Sequence, residues 1–117
     1  MPTHHSLDYV EFTVRDLAEA KRFYADAFGW AFTDYGPTYA GIQGAEREVG
    51  GMEQTEAPRA SGGGALAILY SDDLEASLEA VEASGGTVSK AIFSFPGGRR
   101  FHFLDPSGNE LAVWTLA

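Results

Sequence analysis

The sequence predicts an α+β fold in which two βαβββ modules form curled mixed sheets around a cavity. Three observations predict it: a strand-then-helix pattern occurs twice, three strand-like segments follow each helix, and Pro-Gly turns separate those segments. One helix cannot cover a four-stranded sheet, so we expect the two sheets to close on each other. The modules span about 7–53 and 65–117, and residues 54–64 link them within a single domain.

The first module opens with a strand over 9–14 and continues into a helix. Asp16 can accept from the free N–H groups of the first turn, and Glu19 completes a capping-box pattern. Gly29 can adopt the left-handed conformation that ends a helix. Three strands are then predicted over 30–35, 38–43 and 46–53.

The second module repeats this order, with a strand over 65–70 and a helix opened by Asp73. Leu74, Leu78 and Val81 form the apolar stripe of that helix, and Gly85-Gly86 ends it. Three strands are then predicted over 87–94, 100–104 and 109–115.

The composition excludes several classes of function. Eight Lys and Arg against 17 Asp and Glu give a net charge of −9, which repels phosphate backbones and anionic lipid, so we expect neither nucleic-acid nor membrane binding. The chain has no cysteine, which excludes disulfides and thiolate chemistry. No apolar run is long enough for a membrane helix and the N-terminus has no secretory pattern, so we expect a cytoplasmic protein.

Two motifs carry a resemblance that covers nearly the whole chain. Residues 9–17, Arg22-Phe23-Tyr24 and Phe28-Gly29-Trp30 look like the opening module of glyoxalase-like proteins, and residues 103–111 resemble their closing DPxGNxL hairpin. The chain thus resembles the glyoxalase/bleomycin-resistance/extradiol-dioxygenase superfamily. The resemblance implies a glyoxalase-like fold with a cavity. It does not choose an activity, because that superfamily contains isomerases, dioxygenases, epimerases, thiol transferases and drug-sequestering proteins.

Metal-using members of the superfamily carry ligands at set positions, and this chain lacks the donors there. The corresponding residues are Tyr9, Leu66 and Ala112, and a fourth position falls on Met52 or Glu53. Leu and Ala have no lone pair, and a neutral Tyr is a poor ligand, whereas a catalytic site needs about three His, Asp or Glu donors. We therefore expect no metal and no other cofactor.

Strand alternation from Tyr9, Leu66 and Ala112 predicts which side chains of their strands face the cavity. The resemblance implies that His102, three residues before Asp105, also faces it, and Arg100 shares the face of His102. Glu11 and His102 are the candidate catalytic residues, because a carboxylate or imidazole among apolar neighbours can transfer protons. A carboxylate that only accepts structural hydrogen bonds and a histidine that only packs are the alternatives. The predicted ligand-binding residues are Tyr9, Thr13, Leu66, Ile68, Arg100, Glu110, Ala112 and Trp114.

Arg99-Arg100 is the paired basic cluster of this acidic chain. It could bind a substrate carboxylate or phosphate, or it could be solvated or held in salt bridges. Trp30, Tyr39 and Trp114 could stack on a planar ligand or belong to the core.

Three functions remain open. The first is a metal-independent enzyme acting on a small, partly apolar molecule. The second is a module that sequesters a ligand without chemistry, as bleomycin-resistance-type proteins do, and the third is a metal-dependent lyase or dioxygenase. Open sheet edges predict a homodimer, and the two modules of a cavity can come from one chain or from two.

Overall fold

The computed structural model describes residues 2–5, 7–57 and 65–117, and it contains two βαβββ modules. Residues 58–64 of the predicted linker lie outside the described residues. The elements are β1 (Val10–Val14), α1 (Leu17–Phe28), β2 (Phe32–Asp34), β3 (Tyr39–Gln43), β4 (Glu48–Gln54), β5 (Ala67–Tyr70), α2 (Leu74–Ala83), β6 (Thr87–Phe95), β7 (Gly98–Leu104) and β8 (Glu110–Leu116). The predicted α+β class and element order are confirmed, with strand ends that differ by one or two residues.

Each module forms its own four-stranded mixed sheet. The strand order is β1-β4-β3-β2 in the first sheet and β5-β8-β7-β6 in the second. In each sheet the strand before the helix pairs in parallel with the last strand of its module, and the other pairs are antiparallel. The two sheets therefore share one topology, as the repeat predicts.

Local signals place both helices where the sequence predicts them. The Asp16 side chain accepts from the Glu19 N–H at 3.0 Å, and the Asp73 side chain accepts from the Ala76 N–H at 3.1 Å. Gly29 ends α1 with φ 72°, in the left-handed region that favours glycine. The second helix ends one residue earlier than the Gly85-Gly86 signal, with Ser84 as its C-cap.

The expectation that the two sheets close on each other around a cavity is wrong for this chain. Both helices lie between the sheets instead, in one shared core. Phe23 of α1 packs on Tyr24 and on Phe103 of the second sheet, with ring centroids 4.9 and 6.0 Å apart. Because the helices fill this space, the helix-free face of each sheet points away from the core.

The Asp105-Pro106-Ser107-Gly108-Asn109 turn ties the two modules together. Oδ1 of Asp105 accepts from the N–H groups of Ser107 and Asn109, each at 2.9 Å, and its Oδ2 accepts from the Tyr24 hydroxyl at 2.9 Å. The Asn109 amide donates to the Thr13 carbonyl of the first module at 2.9 Å. Asp105 and Asn109 are both buried, so this motif has a structural role.

Candidate functional site

Two sheet faces without a helix carry most of the polar side chains that the sequence singles out. We call the helix-free face of the first sheet the first open face; Tyr9, Glu11 and Thr13 lie on it by strand alternation. We call the helix-free face of the second sheet the second open face. Its residues are Ile68, Tyr70, Lys90, Phe93, Arg100, His102, Glu110, Ala112 and Trp114.

A histidine–carboxylate pair lies on the second open face. Nδ1 of His102 on β7 lies 2.8 Å from Oε2 of Glu110 on β8. His102 is 4% exposed, and its Nε2 is buried with no hydrogen-bond partner among the described residues. Since a carboxylate only accepts, Nδ1 carries the hydrogen, and the neutral ring then has its lone pair on Nε2.

Arg100 lies two residues before His102 on the same strand and on the same face. Its guanidinium carbon is 5.4 Å from the centre of the Phe93 ring and 5.6 Å from that of Phe95. These cation–π contacts orient the guanidinium without neutralising its charge. Its Nε is buried without a hydrogen-bond partner, and no carboxylate in the described part of the chain is paired with it.

The neighbouring arginine has a different environment. Arg99 points to the opposite face of β7, where its guanidinium donates to the Glu75 carboxylate of α2 at 2.5 Å. That pair lowers the pKa of Glu75 chiefly through the hydrogen bond from Arg99. Of the two adjacent arginines, one is therefore held in a salt bridge and the other faces the candidate site.

Aromatic and aliphatic side chains surround Arg100 and His102. Tyr70 and Trp114 form an edge-to-face pair with ring centroids 5.3 Å apart, and Phe95 lies 6.4 Å from Trp114. Ile68, Tyr70 and Phe93 are 46%, 50% and 36% exposed. An apolar face of this kind, with a few polar groups inside it, is typical of a ligand or protein contact surface.

The first open face carries a network of phenols and carboxylates. The Glu48 carboxylate accepts from Tyr35 at 2.7 Å and from Tyr9 at 2.8 Å. Tyr39 donates to Glu11 at 3.0 Å, and its oxygen lies 3.2 Å from that of Tyr9. Both carboxylates of this network therefore already accept from tyrosine hydroxyls.

A β-bulge brings Glu48 into this network. Simple alternation from Met52, which is buried in the core, would turn Glu48 toward the helices. The register shifts between Ile42 and Gln43, so Gln43 pairs with Glu48, and the bulge turns this side chain to the open face. Sequence periodicity contains no signal for the shift, which is why Glu48 is not among the predicted site residues. Tyr35, which follows β2, is not among them either.

The tyrosines of the first open face stay protonated far above neutral pH. Burial, followed by the hydrogen bonds to Tyr39 and Glu48, raises the pKa of Tyr9 well above its usual range. The hydrogen bond to Glu48 raises the pKa of Tyr35, and burial raises the pKa of Tyr39. At neutral pH these groups are hydrogen-bond donors, not phenolate bases.

The two predicted catalytic residues do not meet within one chain. Glu11 lies on the first open face beside Tyr39, whereas His102 lies on the second beside Glu110. A groove of about 370 Å³ between β1 and β5 contains neither of them. Its lining is mainly apolar and comes from the helix side of both sheets, including Phe12, Trp30, Ile42, Leu69 and Leu111.

The other predicted residues fall into four groups. Ile68, Arg100, Glu110 and Trp114 share the second open face with Ala112, which is fully buried beneath its neighbours. Leu66 precedes β5, which begins at Ala67, and is half-buried. Trp30 belongs to the core region, where it stacks on Tyr24 at 4.5 Å, whereas Tyr39 belongs to the first open face.

The residues at the superfamily's metal positions do not suit a divalent metal. Leu66 and Ala112 offer no donor atom, and the Tyr9 hydroxyl already donates to Glu48. Met52 is fully buried in the core, and Glu53 is exposed. Within residues 2–5, 7–57 and 65–117, no group of three or more His, Asp or Glu side chains could hold a metal ion. The residues at these positions therefore do not support a chemical step at a bound metal.

Comparison with known proteins identifies the family. The model of the Glyoxalase/Bleomycin resistance protein/Dioxygenase superfamily matches residues 6–113. The chain belongs to this superfamily. A glyoxylase-like domain-containing protein from Didymella fabae is 28% identical to this superfamily member over 130 aligned positions, which cover 98% of this chain and 97% of that protein.

Solved structures of the superfamily share the fold. An enzyme of the glyoxalase/bleomycin resistance protein/dioxygenase family from Burkholderia phytofirmans PsJN has a TM-score of 0.79 at 20% identity, covering 96% of this chain and 99% of its own. A glyoxalase-related enzyme from Fulvimarina pelagi has a TM-score of 0.80 at 21% identity, with coverages of 95% and 88%. An antibiotic-binding protein from Streptomyces sp. CB03234 has a TM-score of 0.73 at 20% identity, with both chains fully covered. At these identities the likeness concerns the fold alone.

The structure describes two helices, α1 and α2, that can be compared with the requirements for spanning a membrane. Neither of them combines the length and the apolar character that a membrane-spanning helix requires.

Proposed function

We propose that this superfamily member binds a small, partly apolar molecule on the second open face and transfers a proton there without a metal. The observation that carries the proposal is the His102–Glu110 pair, 2.8 Å apart, with the second ring nitrogen unpartnered. A carboxylate that holds Nδ1–H fixes the ring and stabilises the imidazolium that forms when Nε2 accepts a proton. Glu110 thus positions His102, and His102 is the proposed proton acceptor.

The proposed step is the enolisation of a carbonyl compound. A C–H bond of the ligand breaks next to a carbonyl group, and its proton moves to Nε2 of His102. The electron pair moves onto the carbonyl oxygen, which becomes an enolate oxygen. Nε2 is buried beside Phe93, whose ring centre lies 5.9 Å from that of His102, so the proposed transfer requires the Phe93 side chain to move aside.

Hydrogen–deuterium exchange of a simple ketone tests this proposal. Phenylacetone is incubated with the protein in D2O, and NMR follows the protons next to the carbonyl. The wild-type protein should accelerate their exchange, and EDTA should not change the rate. We expect His102→Gln to reduce the accelerated rate about 100-fold or more, the range of general base catalysis. Exchange that persists in His102→Gln, or that EDTA abolishes, would contradict the proposal.

A ligand-sequestering protein is the second candidate. Two observations favour it: the exposed Ile68, Tyr70 and Phe93 side chains of the second open face, and the shared fold with an antibiotic-binding protein. Binding of phenylacetone without any exchange would select this candidate over the enzyme.

We further propose that the protein is a homodimer whose ligand site is built from both chains. The two open faces point away from each other in one chain, so a second copy is needed to bring a first open face beside a second one. The exposed Ile68, Tyr70 and Phe93 side chains of the second open face give a second copy an apolar surface to cover. In this arrangement Glu11 approaches His102 of the other chain.

Light scattering tests the dimer. We expect a mass near twice that of one 12.6 kDa chain at low micromolar concentration, because pairing covers the exposed apolar side chains of the second open face. A mass near that of a single chain would contradict it.

A further inference from the structure

The charged groups of the two open faces differ in whether they have partners of opposite charge or hydrogen-bond donors, and this difference indicates the charge of the ligand. On the first face, Glu48 accepts from two phenols and Glu11 from one, so its carboxylates already have donors. On the second face, the Arg100 guanidinium has no carboxylate partner among the described residues, and its Nε has no acceptor. A guanidinium without a carboxylate partner, in a chain of net charge −9, favours the binding of an anionic ligand.

Tyr70 and Trp114 lie at a distance from Arg100 that suits an anion carrying an aromatic ring. Tyr70, Trp114 and Arg100 occupy one row across β5, β8 and β7, in direct register. Adjacent strands are about 4.8 Å apart, so a planar ring over Trp114 places a carboxylate attached to it near the Arg100 guanidinium. Phe93 and Phe95 keep the guanidinium in place from the side of β6.

The neighbouring charges favour a single negative charge on the ligand. Lys90 lies opposite His102 on β6 and adds a second positive charge to the face. Glu110 lies on the other side of His102 and repels additional negative charge. A carboxylate therefore suits this face better than a dianionic phosphate.

We infer that the second open face selects an aromatic carboxylate, with Arg100 binding the carboxylate and the Tyr70–Trp114 pair contacting the ring. This inference rests on the proposed function, because it names the ligand class of the same face. It assigns to Arg100 the selection of the ligand, separately from the proton transfer assigned to His102.

Calorimetric titration of the 117-residue protein with three probes of similar shape tests the inference. The probes are benzoate, the neutral benzamide and the cationic benzylammonium. Wild-type protein should bind benzoate more tightly than either of the others. Arg100→Gln should weaken benzoate binding about tenfold or more and weaken benzamide binding less, because an ion pair with the carboxylate is stronger than a hydrogen bond to a neutral amide.

Arg99→Gln is the matched control. It removes the same charge from the next residue, whose guanidinium is paired with Glu75 on the opposite face, so benzoate binding should stay within about twofold. Arg100→Lys serves as a second variant, because it keeps the charge but loses the planar fork, and it should have an intermediate effect. Circular dichroism confirms that each variant is folded.

The outcomes separate the inference from the proposed function. Benzoate affinity that Arg100→Gln leaves unchanged, or benzylammonium binding tighter than benzoate, overturns the inference. If benzamide binds as well as benzoate in both proteins, the inference fails while ligand binding on this face stands. If no probe binds the wild-type protein at millimolar concentration, both fail.

Discussion

Replacing Asp105 by alanine is expected to lower the free energy of unfolding by about 3 to 4 kcal/mol. The buried carboxylate accepts from the N–H groups of Ser107 and Asn109, from the Asn109 amide and from the Tyr24 hydroxyl. The substitution removes the acceptor of the Ser107 and Asn109 N–H groups and of the Tyr24 hydroxyl, whereas the Asn109 amide keeps the Thr13 carbonyl. Each buried donor left without an acceptor costs about 1 to 3 kcal/mol, partly relieved by local rearrangement. Urea denaturation followed by circular dichroism measures the loss.

Two further variants locate the origin of this effect. Tyr24→Phe removes a single donor to Asp105 and should cost about 1 kcal/mol. Asp8→Ala removes an exposed carboxylate, 3.9 Å from Arg47, and should change stability by less than about 0.5 kcal/mol. A loss for Asp105→Ala no larger than that for Asp8→Ala would show that the turn does not hold the modules together.

Phe23→Ala should destabilise the protein by about 3 to 5 kcal/mol, the usual cost of removing a buried phenyl ring. Phe23 is fully buried between the two sheets, where its ring contacts Tyr24, Phe28 and Phe103. Because one core serves both modules, the whole chain should unfold in a single transition at lower denaturant concentration. Circular dichroism and tryptophan fluorescence should then report the same midpoint.

Phe93→Ala is the matched control for this core substitution. Phe93 is 36% exposed on the second open face, so its removal creates no closed cavity in the core and should cost about 1 kcal/mol or less. Two separate transitions in Phe23→Ala, one for each module, would contradict the shared core.

Local sequence patterns predict the helices, the strands and their repeat. Helix caps at Asp16 and Asp73 act within three residues, and the strand periods act within each strand, so both can be read without knowing the tertiary structure. Alternation within a strand also places Arg100 and His102 on one face of β7, and the register of β8 puts Glu110 and Trp114 beside them.

The arrangement of these elements relative to one another depends on contacts between distant parts of the chain. Repeated modules specify two sheets but not which faces pack, and here the aromatic residues of α1 fill the space between the sheets and leave Glu11 and His102 on separate faces. The bulge that turns Glu48 to the first open face depends on pairing with β3, and the salt bridge of Arg99 depends on Glu75 of α2. These contacts join residues far apart in the chain, and a periodic pattern within one strand or helix contains no information about them.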